Sequence, residues 1–125
     1  MPRLLLVALL VLSGCTGKPD NIKPVTDFRA DRYLGTWYEI ARIDHRFEKG
    51  LSRVTADYSL RAGGGITVVN RGFDAKTGKW KESAGKAFFV GAEDNGHLKV
   101  SFFGPFYGSY IVFGLDEPGY QYALV

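Results

Sequence analysis

The segment Gly35-Thr36-Trp37-Tyr38-Glu39-Ile40-Ala41-Arg42 predicts the first strand of an antiparallel β-structure. We expect this strand over residues 36–43. Side chains alternate between the two faces of a strand, so Glu39 and Ala41 share the face of Trp37. The segment therefore predicts a strand that points an indole and a carboxylate to the same side.

Six more strands are expected after this segment, joined by hairpin-length turns. Gly63-Gly64-Gly65 and Asp94-Asn95-Gly96 are strong turn signals. The six strands cover residues 53–60, 66–73, 80–90, 97–103, 107–115 and 120–125. Such spacing favours an all-β, antiparallel meander, sandwich or barrel. One helical turn, capped by Asp27, is expected before them within residues 27–34.

The first residues carry an export signal. Arg3 precedes an apolar run over residues 4–12, which is too short to cross a membrane. Leu12-Ser13-Gly14-Cys15 resembles the bacterial lipobox, in which the cysteine is acylated; an ordinary signal peptide is the alternative. We expect residues 1–14 to be a lipoprotein signal peptide, 15–26 an acylated tether and 27–125 the folded domain. No aspartate follows Cys15, which favours the periplasmic face of the outer membrane.

Composition limits the function without identifying a partner. The chain carries 16 Lys and Arg against 13 Asp and Glu, interspersed, which gives no sign of nucleic-acid binding. Its single cysteine excludes an internal disulfide and argues against a cysteine metal cluster. The hydrolase motif Gly-x-Ser-x-Gly and the zinc motif His-Glu-x-x-His do not occur in the sequence. His45 and His97 are expected to be solvated. We therefore expect no enzyme, no metal and no cofactor.

Two segments and their order resemble the lipocalins, specifically the bacterial outer-membrane lipoprotein lipocalins. The segments are residues 35–42 and, near the end, Leu115-Asp116 with Tyr120-Gln121-Tyr122-Ala123-Leu124-Val125; the resemblance covers residues 28–125. It implies an up-and-down barrel of eight strands with room for one small ligand. It also implies that Gly35 and Trp37 are a structural signature, with the indole closing one end.

The resemblance implies a function as well. The barrel is expected to bind or transport a small amphiphile such as a fatty acid or a lysophospholipid in the cell envelope. The alternative is a structural envelope lipoprotein whose barrel is filled by side chains and holds no ligand. A lipid ligand and the outer membrane are thus the expected partners, and the oligomeric state stays open.

Only seven of the eight barrel strands are expected in this sequence. The eighth strand, a basic residue packed across the tryptophan, and a C-terminal helix have no counterpart. We therefore expect a longer lipocalin truncated at its C-terminus. A natural seven-stranded variant, or a chain completed by a partner strand, is the alternative.

The expected ligand wall comes from the inward sets of the alternating strands, although each residue can equally be plain packing. In the second and third strands these are Val54, Ala56, Tyr58, Leu60, Ile66, Val68 and Asn70. In later strands, where a bend near Gly85 obscures the inward phase, they are Phe88, Leu98, Val100, Phe102, Tyr110 and Val112. Glu39 is expected to meet a ligand headgroup, a water molecule or a basic residue absent from this chain. The expected rim residues are Phe47, Phe103, Phe106 and Tyr107.

Overall fold

The computed structural model describes residues 16–42 and 49–125. The expectations for the signal peptide, for Cys15 and for residues 43–48, which include His45 and Phe47, lie outside the described residues. One short helix, α1, is followed by eight strands. The bounds are α1 Ala30–Tyr33, β1 Gly35–Tyr38, β2 Leu51–Leu60, β3 Ile66–Asp74, β4 Lys79–Phe89, β5 His97–Phe103, β6 Phe106–Ile111, β7 Gly114–Leu115 and β8 Ala123–Leu124.

The strands form a meander, which confirms the all-β, antiparallel prediction. Strands β1 to β6 pair in chain order in one sheet, and β7 pairs with β8 in a second. The pairing of β3 with β4 runs from Ile66 opposite Ala87 to Asp74 opposite Lys79. In contrast, β4 pairs with β5 only over residues 86–89. Strand β4 therefore continues alone on that side over residues 79–85.

The last two expected strands differ from those observed. The expected strand 107–115 divides into β6 and β7, because the Val112 carbonyl accepts a hydrogen bond from the Val25 amide, at 2.8 Å. The expected strand 120–125 is reduced to β8, since Tyr120 has a φ of 52° and its amide donates to the Asp116 carbonyl at 2.7 Å. A contact between residues distant in sequence thus divides the strand 107–115, and a local turn between Asp116 and Tyr120 delays the start of β8. The first expected strand, 36–43, likewise ends at Tyr38 as β1.

The expected helix cap is also wrong. Helix α1 is a single turn, and its N-cap position is Arg29, which makes no side-chain capping bond. Asp27 lies outside the helix with a φ of 55°. Packing of Tyr33 in the core, described below, holds the turn instead.

The core consists of two adjoining clusters. The first contains the buried residues Ile66, Val68, Ala87 and Leu98. The second contains Phe28, Tyr33 and Val112, against which Trp37 of β1 and Ala123 of β8 also pack. The first and last strands therefore share one interior, although β1 and β6 are the edges of the six-stranded sheet in the described part of the chain.

The sheet has two distinct ends. The closed end carries α1 and the turns 61–65 and 90–96. The open end carries the segment after β1, the β3–β4 turn and the β5–β6 turn, since successive strands run in opposite directions. None of the helices in the described part of the chain is long and apolar enough to cross a membrane.

The described part of the predicted tether lies against the sheet. His97 Nε2 is 2.9 Å from the Thr16 carbonyl oxygen, and the Ser109 hydroxyl donates to the Gly17 carbonyl. Further along, the Gly96 amide donates to the Val25 carbonyl at 2.9 Å. The segment before α1 is thus attached to β5 and β6 at several points, and the domain boundaries stay a prediction.

Candidate functional site

The inward face of β2 and β3 carries most of the expected wall residues. Ala56 stands opposite Asn70, and Tyr58 opposite Val68. Val54, Ile66 and Val68 are buried. Leu60 is 72% exposed, because β2 ends there, so it does not line the enclosed interior. For the remaining residues, contact with a ligand stays a prediction.

The expected wall residues on the later strands do not all face the interior. Val100 and Tyr110 pack against the first core cluster. The expectation for Phe88 was wrong: Ala87 lies opposite Ile66 and faces inward, so the next side chain faces outward. The Phe88 ring lies instead on the outer surface beneath the Arg61 guanidinium, whose central carbon is 5.5 Å from the ring centroid.

Three tyrosine hydroxyls meet inside the closed end. The Tyr110 hydroxyl is 2.7 Å from that of Tyr33 and 2.7 Å from that of Tyr58. Burial, reinforced by the neighbouring phenols, raises the pKa of Tyr33 and of Tyr110 well above their usual range. All three phenols, the tyrosine triad, therefore form a neutral polar cluster in an apolar wall.

Tyr33 was not among the expected interior residues. It stacks on Trp37 with ring centroids 4.7 Å apart, and its carbonyl accepts the indole N–H at 2.8 Å. The signal available was the four-residue spacing between the two aromatic residues, across Gly35. That glycine has a φ of 105°, a conformation that favours glycine and that turns the chain from α1 into β1.

Side chains fill the closed end. The cavity enclosed there has a volume of about 10 Å³. A space of that size is close to the minimum for a single water molecule. Its lining consists of Phe28, Tyr33, Tyr58, Ile66, Val68, Ala87, Leu98 and Tyr110. Two of these, Phe28 and Tyr33, come from the segment that precedes the sheet.

The open end is polar. The Glu39 carboxylate pairs with Arg42 at 2.6 Å, and the Arg42 guanidinium also donates to the Leu51 carbonyl at 2.9 Å. Glu39 therefore meets a cation of this chain, contrary to the expectation that such a residue is absent. Nearby in the fold, a hydrogen bond from Lys81 lowers the pKa of the Asp74 carboxyl.

A cleft opens between β4 and β5 where their pairing stops. It has a volume of about 430 Å³ and is lined by Ala84, Gly85, Lys86, Ser101, Phe102, Phe103 and Gly104. The Phe102 ring covers Gly85 so closely that a Cβ there would lie 2.6 Å from Phe102 Cδ1. The volume of the cleft is within the size range of small-molecule sites, but the cleft is an open surface feature rather than an enclosed cavity, with Phe102 and Phe103 exposed.

No group of three or more His, Cys, Asp and Glu side chains within residues 16–42 and 49–125 could hold a metal ion.

The comparisons with known proteins agree on one family. A family profile described as a lipocalin-like domain matches residues 28–125. Outer membrane lipoprotein Blc of Vibrio cholerae is 57% identical over 121 residues, which are 97% of this chain and 71% of that protein. Outer membrane lipoprotein Blc of Escherichia coli K12 is 55% identical over 117 residues, 94% of this chain and 66% of that protein.

A solved structure agrees with the fold. Insecticyanin from the tobacco hornworm Manduca sexta superimposes with a TM-score of 0.62 at 25% identity, over 80% of this chain and 55% of that protein. The chain thus spans about two thirds of the bacterial relatives and just over half of this one. The bacterial relatives confirm the predicted lipid-anchored localisation at the outer membrane. On the family profile, the sequence identity and the shared strand topology, this chain belongs to the lipocalin family.

Proposed function

We propose that this chain is a lipid-anchored lipocalin that binds or transports one small amphiphile, such as a fatty acid or a lysophospholipid. The observation that carries the proposal is the change in polarity along the interior. The inward side chains are apolar or neutral at the closed end, and charged pairs, Glu39 with Arg42 and Asp74 with Lys81, stand at the open end. Such a gradient fits a molecule with an apolar tail and a polar head. The proposal is of a binding protein and not of an enzyme.

The tail gains free energy by leaving water. Burial of apolar surface contributes about 25 cal/mol per Å², so an acyl chain gains several kcal/mol before ordering costs. The closed end offers about 10 Å³, whereas the β4–β5 cleft offers about 430 Å³. We place the tail across the cleft and against the inward wall. The proposed contacts are Val54, Ala56, Tyr58, Ile66, Val68, Asn70, Val100, Phe102 and Tyr110.

The headgroup then lies at the open end. Arg42 and Lys81 supply positive charge there, and each has a carboxylate partner, so the site as a whole is close to neutral. A zwitterionic or hydrogen-bonding headgroup suits such paired charges as well as a carboxylate does. We propose that Glu39 contacts the headgroup together with Arg42, its ion-pair partner.

The anchor is proposed at Cys15, after removal of residues 1–14. The lipobox-like Leu12-Ser13-Gly14-Cys15 and the lipoprotein names of the bacterial relatives support it. Acylation at this position and the lack of an aspartate after it favour the periplasmic face. Two or more acyl chains hold a protein on a membrane far more firmly than one chain does.

Displacement of a fluorescent fatty acid tests the binding proposal. We expect saturable displacement by fatty acids or lysophospholipids, with affinity lowered about tenfold by Phe102→Ala, equivalent to about 1.4 kcal/mol. Phe113→Ala is the matched control, since that ring is 42% exposed, much as Phe102 is at 39%, and does not line the cleft. If the folded protein shows no displacement by either lipid class, the binding proposal fails.

The filled-interior lipoprotein is the second candidate. The 10 Å³ cavity favours it, because an interior packed by Phe28 and Tyr33 leaves no space for a tail at the closed end. The same titration separates the candidates: a folded protein with normal circular dichroism and no displacement would support the structural role.

A further inference from the structure

We propose that the outer face of the β3–β4 hairpin docks on an anionic phospholipid surface. The docking surface, named here the hairpin surface, consists of Arg53, Arg71, Phe73, Lys76 and Trp80. It is separate from the interior that the lipocalin function uses. It combines aromatic rings with cations at a turn of the sheet.

Alternation places the rings of the hairpin surface outside. Gly72 and Asp74 face inward and are buried, so Phe73 between them faces outward. Trp80 lies directly opposite Phe73 in the register, with ring centroids 5.3 Å apart. Trp80 stays 43% exposed despite this contact.

Cations cover the aromatic faces. The Arg71 guanidinium carbon is 4.5 Å from the Trp80 ring centroid, and that of Arg53 is 5.7 Å from the Phe73 ring centroid. Both arginine side chains are exposed. An indole under a guanidinium presents an amphipathic body to the solvent, which is the chemistry that belongs at a membrane–water interface.

The charge of the hairpin surface is positive. Lys76 in the turn adds to the two arginines, and Glu82, opposite Arg71, brings one carboxylate to the same face. Lys81 pairs with Asp74 at 3.1 Å, and Lys79 shares the face of Asp74. Among ion pairs between described residues, none joins a carboxylate to Arg53, Arg71 or Lys76. These three charges are therefore available to anionic headgroups, which attract basic segments close to a membrane.

The hairpin surface lies at the opposite end of the sheet from the bonded tether. The β3–β4 turn lies at the open end, as does the β5–β6 turn, where Phe103 stacks on Phe106 with ring centroids 6.5 Å apart. Thr16, next to the proposed anchor, is bonded to His97 at the closed end. Docking by the hairpin surface would therefore bring to the phospholipid surface the end of the sheet that the tether does not hold there. Transfer of an amphiphile at this contact rests on the proposed function, whereas docking does not.

Tryptophan quenching by brominated lipids tests the docking. The full acylated protein is reconstituted in phosphatidylcholine vesicles with or without phosphatidylglycerol, all carrying brominated acyl chains. The chain has two tryptophans, and Trp37 is packed on Tyr33. We expect quenching to increase at least twofold when phosphatidylglycerol is present. This increase should disappear at about 1 M salt, where the Debye length is about 3 Å.

Variants assign the signal to the hairpin surface. Trp80→Phe should remove the increase, and the double variant Arg71→Gln with Lys76→Gln should lower it at least twofold. The matched control is Arg61→Gln with Lys99→Gln, which removes two cations that also lie over outer-face rings, those of Phe88 and Tyr107. It should keep the increase. Circular dichroism verifies that each variant is folded.

Two results would overturn the proposal. One is equal quenching on vesicles with and without phosphatidylglycerol, which would leave an acidic protein or a second copy of the chain as the occupant. The other is an equal loss in the hairpin and control variants. Fatty-acid displacement without vesicles reports on the interior alone, so failure of docking and failure of ligand binding are distinguishable.

Discussion

At the scale of single residues, the tyrosine triad is the polar feature on which the closed end depends. Tyr110 stands in the middle, because its hydroxyl lies 2.7 Å from both of the others. A buried hydroxyl that loses its partner carries the full cost of desolvation. The triad therefore fixes how helix α1 sits against β2 and β6.

Replacing Tyr110 by phenylalanine should lower the free energy of unfolding by about 1–3 kcal/mol, since two buried hydroxyls lose a partner. Denaturant unfolding measures the change. Tyr122→Phe is the control, because that side chain is largely exposed, and it should change stability by less than about 0.5 kcal/mol. Equal losses in both variants would show that the triad contributes nothing of its own.

The triad also predicts a dependence on alkaline pH. The raised pKa of Tyr33 and Tyr110 means that the folded protein keeps these protons after the unfolded chain begins to lose them near pH 10. Their contribution is thus complete below about pH 10 and decreases as the pH rises above it. Tyr110→Phe should lose less stability than the wild type between about pH 9 and pH 11. A steeper loss in this variant would contradict the assignment.

Sequence reasoning at this scale succeeded where alternation is uninterrupted. The inward placement of Ile66 and Val68 follows from a period of two in β3. Val54 is buried as well, although the register of β2 shifts between Ser52 and Thr55. Sequence reasoning failed for Phe88, because the register with β3, which sets the phase of β4, is not visible in β4 itself. The partner of Glu39 was also missed, since Arg42 reaches it only after the chain leaves β1.

At the scale of elements, the separation of β4 from β5 is the main irregularity of the sheet. Gly85 stands at that point, and a Cβ there would lie 2.6 Å from Phe102 Cδ1 and 2.7 Å from the Ser101 carbonyl oxygen. The second contact is with backbone, so rotation of the phenylalanine alone cannot relieve it. The glycine therefore permits the Phe102 ring and the Ser101 carbonyl to lie close to β4 at the point where its pairing with β5 ends.

Gly85→Ala should lower the free energy of unfolding by about 1–3 kcal/mol through this overpacking. Gly108→Ala is the matched control, as a Cβ in that strand would meet no atom within 4 Å. Thermal unfolding of both variants gives the comparison. A neutral Gly85→Ala would mean that β5 moves away without penalty.

Helix α1 is joined to the turn before β8 by one side chain. The Arg32 guanidinium donates to the Glu117 carbonyl at 3.0 Å and to the Pro118 carbonyl at 2.9 Å. It also lies over the Tyr120 ring, 4.3 Å from the centroid. The turn Glu117-Pro118-Gly119 is therefore held by a specific contact.

Arg32→Lys keeps the charge but not the planar fork that reaches both carbonyls, so we expect a loss of about 1 kcal/mol in unfolding free energy. Arg29→Lys is the control, because among the described residues its side chain pairs with an exposed Asp31, at 3.8 Å. Urea unfolding distinguishes the two. Loss of stability in the Arg29 variant alone would reverse the interpretation.

Turn chemistry explains which elements were predictable. Strand β5 was expected over residues 97–103 and occupies His97–Phe103, because Asp94-Asn95-Gly96 determines where it begins. The division of residues 107–115 depends on the bond between Val25 and Val112, which are distant in sequence. Local signals place turns well, and long-range hydrogen bonds determine where the later strands stop.

At the scale of the whole molecule, membrane attachment has two separable sources. The proposed acyl chains at Cys15 give attachment that salt does not weaken, whereas the hairpin surface gives attachment that salt does weaken. The two contributions are predicted to act at different parts of the molecule.

Cys15→Ser should move most of the full-length protein from the membrane fraction to the soluble fraction of bacterial cells. The remaining bound protein should be released at about 1 M salt, if it is held by the cationic hairpin. Thr16→Ser is the control and should stay membrane-bound. Full retention of the Cys15 variant after the salt wash would contradict acylation at this residue.

The bonds of Thr16 to His97 and of Gly17 to Ser109 have a mechanical consequence. Any pull that a moving bilayer exerts at the lipidated end enters the fold at the start of β5 and in β6. The turn that the Ile22 amide closes on the Pro19 carbonyl, at 3.0 Å, then lies between that load and the helix. Force on the anchor would thus be borne by the sheet before it reaches α1 and Trp37.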